Sequence, residues 1–406
     1  MNHILFTLAL RNVFRQKVRT AITLVAIVSG VAGLILAGGF VQDIFIQLGE
    51  AIIHSQTGHI QVFNRDFLDK GTRQPEKFVI ADPKGVGARI RAVEGVSDVT
   101  ARLNFAGLLN NGRRDLAIVG EGIEPEKEAE LGTYLKVTAG RQLESRDKFG
   151  LMVGQGVAHA LGLKPGDQVT LVMNAAEGTL NSLDFEVVGV FQSFSKDYDA
   201  RAVRIPLVSA QELMLTKGAN LLVVSLNKTE ETGKSFKGIQ AILGKELDLR
   251  SWNQLSDFYD KTIELYDRQF GVLQWIILFM VLLSVINSVN MSTFERMSEF
   301  GTLQALGNRQ RGVFTLLMIE SVILGVLGAT IGVLLGVGAA LAISAVGIPM
   351  PPPPNANVGY TAFVRVVPGT VLHAWFIGFV ATVLAAILPA RKIIRTPIVD
   401  ALRQGV

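Results

Sequence analysis

Apolar residues in this chain gather in four long runs, Ala21–Phe40, Phe270–Val289, Val313–Val346 and Val371–Leu388. About twenty apolar residues suffice for a helix to cross a bilayer, so each run predicts a membrane span. Between the second and third runs lies a short polar segment, Ser298–Gly307. Its Phe300, Leu303, Ala305 and Leu306 fit an amphipathic helix, and Gly307 is placed as a C-terminal stop. The pattern predicts a helical knob in the loop of a membrane hairpin, where a partner can push on it. The third run carries one acid, Glu320. It is costly in lipid unless it snorkels or faces protein, and a proton relay is the other reading.

Ahead of the first run, Phe6, Ala9, Leu10, Val13 and Phe14 recur at helical spacing, with Arg11, Arg15 and Lys17 off that stripe. This predicts an elbow helix over 1–19, lying in the membrane interface with its cations near anionic headgroups. The first run exceeds a typical signal-peptide core and lacks a small-x-small cleavage site, so it is expected to be retained as a span over 20–45. It continues at helical spacing through Ile44, Ile46, Leu48 and Ile52 as an amphipathic stalk. Ile44, Leu48 and Ile52 are the candidate lining of an apolar path between two facing copies. The remaining boundaries are 269–291, 313–346 and 371–389 for the other spans, 292–312 for the loop, 347–370 for a short second loop and 390–406 for a tail.

The region 46–268 has ordinary globular character. Strands are predicted at 59–63, 96–103, 116–119, 168–173, 185–191, 201–208 and 221–226, and helices at 82–94, 155–162 and 229–244. Two β-α-β units, over 57–104 and 218–254, are expected to pair as one ferredoxin-like module. The stretch 105–217 is then an inserted, mostly β subdomain. The fold class is four transmembrane helices plus an α/β extracytoplasmic domain.

Composition agrees: 49% of the 406 residues are hydrophobic and 18% are charged, against about a quarter charged in soluble domains. Charge sets the orientation. Arg11, Arg15, Lys17 and Arg19 precede the first run, and Arg391, Lys392, Arg395 and Arg403 follow the last against Asp400 alone. Those ends are more positive than the whole chain at +4, so what lies between is net negative. Both termini are therefore expected in the cytoplasm and the large domain outside. The basic balance reflects topology, and no nucleic acid is expected as a partner.

Catalytic patterns are missing. Gly233-Lys234-Ser235 lacks the glycine five positions upstream that a phosphate loop needs, where Lys228 stands. His3, His54, His59, His159 and His373 are scattered, and His54 and His59 show no carboxylate partner in the sequence. The pairs Asp197/Asp199 and Asp257/Asp260 read as loop and helix-face acids. No cofactor or metal is expected in this chain. Small residues repeat every four positions at Gly328, Gly332 and Gly336, and at Ser29, Gly33 and Ala37. Each stripe permits close helix approach, within one chain or at a subunit interface.

The segment Glu295–Gly307 resembles the coupling loop of FtsX-like permeases, where E-x-G-x-L-x-A-L-G recurs. The ending, Leu388-Pro389-Ala390 followed by Thr396–Arg403, is similar to that family's P-A…P-x-x-A-L-R. Gly150–Gly154, Leu161–Asp167 and Phe185–Phe191 resemble the periplasmic domain shared by the lipoprotein-releasing permeases LolC and LolE and the exporter MacB. The resemblance implies an ATP-binding-cassette permease in the bacterial inner membrane, working with two separate ATPase subunits that bind ATP and Mg. A second permease subunit is implied, as homodimer or paralogue. Glu295, Ser298, Glu299, Phe300, Gly301, Leu303, Ala305, Leu306 and Gly307 would meet the ATPase. The length of the large domain and the lack of a fused ATPase favour lipoprotein or lipid-like cargo, membrane lipids as surroundings and a LolA-like carrier. A MacB-like exporter and an FtsX-like scaffold controlling a cell-wall hydrolase are the alternatives. The Pro349–Pro354 run is a stiff polyproline feature that the resemblance assigns to neither LolC nor LolE.

Overall fold

The computed structural model describes residues 2–15, 17–71, 75–175, 179–244, 247–352 and 359–394. The Pro353-Pro354 end of the proline run and the Thr396–Arg403 motif lie outside them. Helices in chain order are α1 (Asn2–Arg15), α2 (Lys17–Ile52), α3 (Pro83–Arg91), α4 (Pro125–Leu131), α5 (Gln155–Leu161), α6 (Lys196–Asp199), α7 (Leu207–Met214), α8 (Thr232–Leu243), α9 (Asp257–Glu295), α10 (Met297–Ala305), α11 (Gln310–Val346) and α12 (Pro368–Ile394). Strands are β1 (Ile60–Asn64), β2 (Val96–Asn110), β3 (Asp115–Ile123), β4 (Lys136–Gly140), β5 (Gly150–Gly154), β6 (Gln168–Asn174), β7 (Leu180–Gln192), β8 (Ala202–Pro206), β9 (Leu221–Leu226), β10 (Leu247–Ser251), β11 (Ile348–Met350) and β12 (Tyr360–Ala362). Two compact units result: Met1–Phe45 with Thr262–Pro349 and Thr361–Val406, and Ile46–Lys261 with Met350–Tyr360.

The helical unit contains the four predicted spans, each inside a longer helix (α2, α9, α11 and α12) that is apolar enough to cross a membrane. Among the described residues these are the four such helices. The core between them is built from small and branched residues, Ile27, Val31, Ile35, Val285, Ala329, Ala381 and Ala385. Large apolar side chains such as Ile22, Trp275, Leu283, Leu334 and Leu388 remain exposed, as lipid-facing residues must be. The Gly328, Gly332 and Gly336 stripe packs within the chain. Cβ atoms there would fall 2.8 Å from Ile27 Cγ2, 2.8 Å from Val31 Cβ and 3.0 Å from Ala32 Cα. On α2 the close approach to α9 is at Gly30, where a Cβ would lie 2.3 Å from Val281. Ser29 is exposed, and Gly33 and Ala37 are half-exposed.

In the α/β unit, neighbouring strands run β10-β1-β9-β2, all antiparallel. Val62, Ile90, Val99, Leu222, Val224 and Ile239 form the core beneath α3 and α8. The long β2 changes partners midway. Residues up to Arg102 pair with β9, and those from Leu103 pair with β3. From there the path β3-β8-β5-β7-β6 returns to β2 through Gly107–Asn110, closing a ring. Leu103, Phe105, Leu151, Val153, Phe185 and Val203 fill it.

Three expectations are corrected. The predicted strand 201–208 stops at Pro206, and Leu207–Met214 is helical. The strands β4 and β5 were not predicted: β5 is buried at every position, so it shows no alternation. Asp199 is no surface acid, since it is 2% exposed and its two oxygens accept the Ser193 N–H at 2.9 and 3.0 Å.

Candidate functional site at the coupling end of the helical unit

The helix α10 forms where the sequence placed it, and its end shows why. Gly307 adopts φ +92°, its N–H reaches Gln304 O at 3.0 Å, and the Asn308 N–H reaches Leu303 O at 3.0 Å. That is a Schellman motif, which needs a residue free to turn left-handed.

Underneath, Met297 and Phe300 pack into a core with Ala9 and Val13 of α1, Val313, Leu316 and Leu317 of α11, and Ala390 of α12. Leu303 is half-buried against the same core. The apolar positions of α10 therefore divide. Phe300 and Gly301 are inward, so the nine loop residues do not form one exposed surface. Ala305, Leu306 and Gly307 are outward, with Leu306 81% exposed. Ser298 is half-buried, and its carbonyl accepts the Thr302 hydroxyl at 2.9 Å. The elbow stripe divides in the same way, Ala9 and Val13 turning inward and Phe6, Leu10 and Phe14 outward.

Charged side chains tie this knob to the bundle. Arg296, at the break between α9 and α10, donates through Nη1 to both Glu320 oxygens at 2.9 and 3.1 Å. Asn12 of α1 donates its amide to Glu320 Oε1 at 2.7 Å. Glu320 thus faces protein, with a counter-ion that spacing could not reveal because it stands 24 residues upstream. Arg296 also donates to Glu299 at 3.2 Å and lies 4.9 Å from the centre of the Phe300 ring. Two further pairs, Arg15 with Glu299 and Arg19 with Glu295, bind α1 and the start of α2 to the loop. Burial opposes ionisation of Glu299, but the hydrogen bonds from Arg15 and Arg296 outweigh it and hold its pKa below the usual carboxylate range. One set of side chains therefore joins α1, α2, α9, α10 and α11.

A second polar constraint, missed in the sequence, lies in the same unit. Asp43 is fully buried and accepts from Arg365 Nε and the Phe363 N–H, both at 2.8 Å. The candidate path residues Ile44, Leu48 and Ile52 are 8, 6 and 6% exposed, so they are covered by the chain's own packing. Ile46, 40% exposed, is the open apolar residue of that stretch.

In the α/β unit the histidine reading needs one correction: His54 Nε2 lies 3.2 Å from Glu50. Thr229 donates to Glu50 at 2.7 Å, His59 Nε2 is 3.1 Å from the Thr229 hydroxyl, and His59 Nδ1 accepts the Leu226 N–H at 3.2 Å. Burial, followed by repulsion from His54, lowers the His59 pKa to about 4. The unit also holds a buried ion cluster. Arg102 Nη2 donates to Glu128 Oε2 at 2.8 Å, its Nη1 donates to the Gln56 carbonyl, and Arg204 pairs with Glu121 at 3.0 Å. The strands β6 and β7 frame a hairpin, with Asn174 opposite Leu180 and 176–178 outside the described residues.

Comparison with known proteins agrees with this architecture. Residues 20–242 match the MacB-like periplasmic core domain, and residues 271–398 match the FtsX-like permease C-terminal domain. An uncharacterized ABC transporter permease of Methanocaldococcus jannaschii is 22% identical over 82% of this chain and 82% of its own length. The lipoprotein-releasing system transmembrane protein LolC of Neisseria meningitidis is 24% identical over 80% of this chain and 78% of its own. The macrolide export ATP-binding/permease protein MacB of Chlorobium luteolum is 21% identical over 97% of this chain, which spans 59% of that protein. The solved periplasmic region of MacB from Actinobacillus actinomycetemcomitans is 16% identical, covering 52% of this chain and 95% of its own, with a TM-score of 0.37.

Proposed function

Because this chain belongs to the FtsX-like ABC transporter permeases with a MacB-like periplasmic core domain, we propose that it is the mechanically driven membrane subunit of an ATP-binding-cassette complex. Two separate ATPase subunits bind ATP and Mg, and a second permease subunit, identical or paralogous, completes the membrane part. The observation that carries this reading is the exposed Leu306 at the tip of a helix whose other face is locked to the bundle. Force applied at Ala305–Gly307 passes to α11 through Arg296 and Glu320, and to α1 and α2 through Glu299 and Glu295.

The cargo is lipoprotein or a lipid-like envelope component, passed to a periplasmic carrier. The similarity to LolC over most of both chains favours it. Export of the MacB kind is the second reading, favoured by the match over the periplasmic core. The strand order β10-β1-β9-β2 with α3 and α8 supports a ferredoxin-like porter module, and the closed β ring supports an inserted subdomain. Cargo captured at the membrane surface is expected to label a photo-crosslinker at Ile46.

Leu306→Asp tests the ATPase contact. A substitution at this exposed site is expected to change stability by less than about 0.5 kcal/mol. Co-purification of the ATPase subunits should nevertheless fall sharply, and with it the stimulated hydrolysis. Retention of both would remove the coupling role from this helix.

Orientation in the inner membrane has its own test, which the lack of cysteine makes clean. Asn174 and Asn308 are both exposed. Asn174→Cys is expected to react with a membrane-impermeant thiol reagent in intact spheroplasts, and Asn308→Cys only after permeabilisation. The opposite pattern would place the large domain in the cytoplasm.

A further inference from the structure

A polar pocket opens among α1, α2, α9 and α11, beside the Arg296–Glu320 pair. Arg19 and Arg296 wall it, together with the hydroxyl side chains of Thr20, Thr23, Ser288 and Ser292. Glu320 is neutralised by Arg296 and also accepts from Asn12, whereas Arg19 meets Glu295 through Nη2 alone. Its Nη1 is buried and has no hydrogen-bond partner among the described residues. A buried donor left unmade costs about 1–3 kcal/mol, and more when charged. An acceptor in the pocket removes that cost.

We infer that this pocket binds a phosphate ester, with Arg19 as its principal ligand. A guanidinium presents a planar fork that matches phosphate oxygens. Thr20 and Thr23 donate their own protons to the Val13 and Arg19 carbonyls at 2.6 and 3.0 Å, and Thr23 and Ser288 hydrogen-bond to each other, so Arg19 is the group that faces the ligand. Arg19 stands two residues beyond the start of α2, just ahead of the apolar run of that helix. Val18, Ile22 and Val25 on the same helix are 74, 58 and 63% exposed, an apolar flank on which acyl chains can lie. A phospholipid headgroup and a soluble phosphate share the recognising chemistry. Either would bridge α2 to α9 where the coupling helix begins. The inference depends on neither the ATPase partner nor the cargo.

The test compares two variants of the full-length chain that break the same ion pair. Native mass spectrometry of detergent-purified protein, titrated with phosphatidylglycerol, should show one retained phospholipid in the unaltered chain. Arg19→Gln is expected to weaken retention about ten-fold, the loss of a charge-assisted hydrogen bond. Glu295→Gln, which frees the rest of the guanidinium, should retain the lipid as well or better. Equal losses in both variants would mean that Arg19 serves only to hold Glu295, and would overturn the inference. Arg19→Lys, which keeps the charge and loses the planar fork, serves if Arg19→Gln fails to fold, and is expected to weaken retention several-fold. A second arm measures the melting temperature with inorganic phosphate. A rise that depends on Arg19, without a retained phospholipid, assigns the site to a soluble phosphate. Absence of response to either probe leaves water as the occupant and refutes the site.

Discussion

Arg296→Ala is expected to destabilise the helical unit by about 3–5 kcal/mol, the usual result of leaving one partner of a buried ion pair uncompensated. The side chains of Arg296 and Glu320 are 8 and 11% exposed. Without Arg296 the carboxylate keeps, among the described residues, the Asn12 amide. Glu320→Ala should cost less, because Arg296 retains Glu299 at 3.2 Å. Replacing both with apolar residues of similar size, Arg296→Met with Glu320→Leu, is expected to recover most of the stability, since hydrophobic packing often equals a buried pair. Melting temperatures of the purified chain in detergent give the ranking. If the double variant melts with Arg296→Ala, the pair stabilises through something other than charge compensation. Recovered stability with lost ATPase stimulation would separate folding from force transmission, because the apolar contact fixes no geometry between α10 and α11.

Arg102→Ala in the α/β unit is the second large effect, again about 3–5 kcal/mol at neutral pH. Arg102 is among the largest fully buried side chains, and it grips both oxygens of Glu128, itself 4% exposed. Burial pushes the Glu128 pKa up, but attraction to Arg102 and then Arg204 outweighs it and holds the group below the usual carboxylate range. The sign follows from linkage. A depressed folded pKa stabilises above the unfolded value of 4.5, and that stability is lost as pH falls through the folded value. The unaltered domain should therefore lose this contribution only in acid. In Arg102→Ala, burial dominates and raises the Glu128 pKa, so protonation relieves the variant as pH falls toward 4.5. The gap between the two melting temperatures is expected to be widest near neutrality and to narrow toward that pH. A constant gap would mean that Arg102 acts through packing alone.

Much of this protein was legible along the chain because its strongest signals are local. A run of twenty apolar residues answers only to the bilayer, so all four spans lie inside the observed helices. Gly307 stops α10 because its left-handed φ is a property of one residue, and β9 matches its predicted bounds, a short apolar run with Val223 and Val224 at its centre. What failed was non-local. The strand β5 has no alternation because other strands and helices cover both its faces, and Asp199 looks like a loop acid until its backbone partner is known.

The sequence by itself determined the count of candidate spans, the position of the helix between the second and third of them, and the division into a helical and an α/β part. These follow from hydropathy and from residues whose conformational limits hold in any context. Only the tertiary structure decided which face of each helix is used. It turned Phe300 inward and left Leu306 outward, and it enclosed Gly328, Gly332 and Gly336 against Ile27, Val31 and Ala32. It also paired Glu320 with Arg296, Asp43 with Arg365, and Glu128 with Arg102. A lone charge in a sequence states only that a partner is required. Which partner it finds depends on helices and strands far apart in the chain, and that is fixed when they pack.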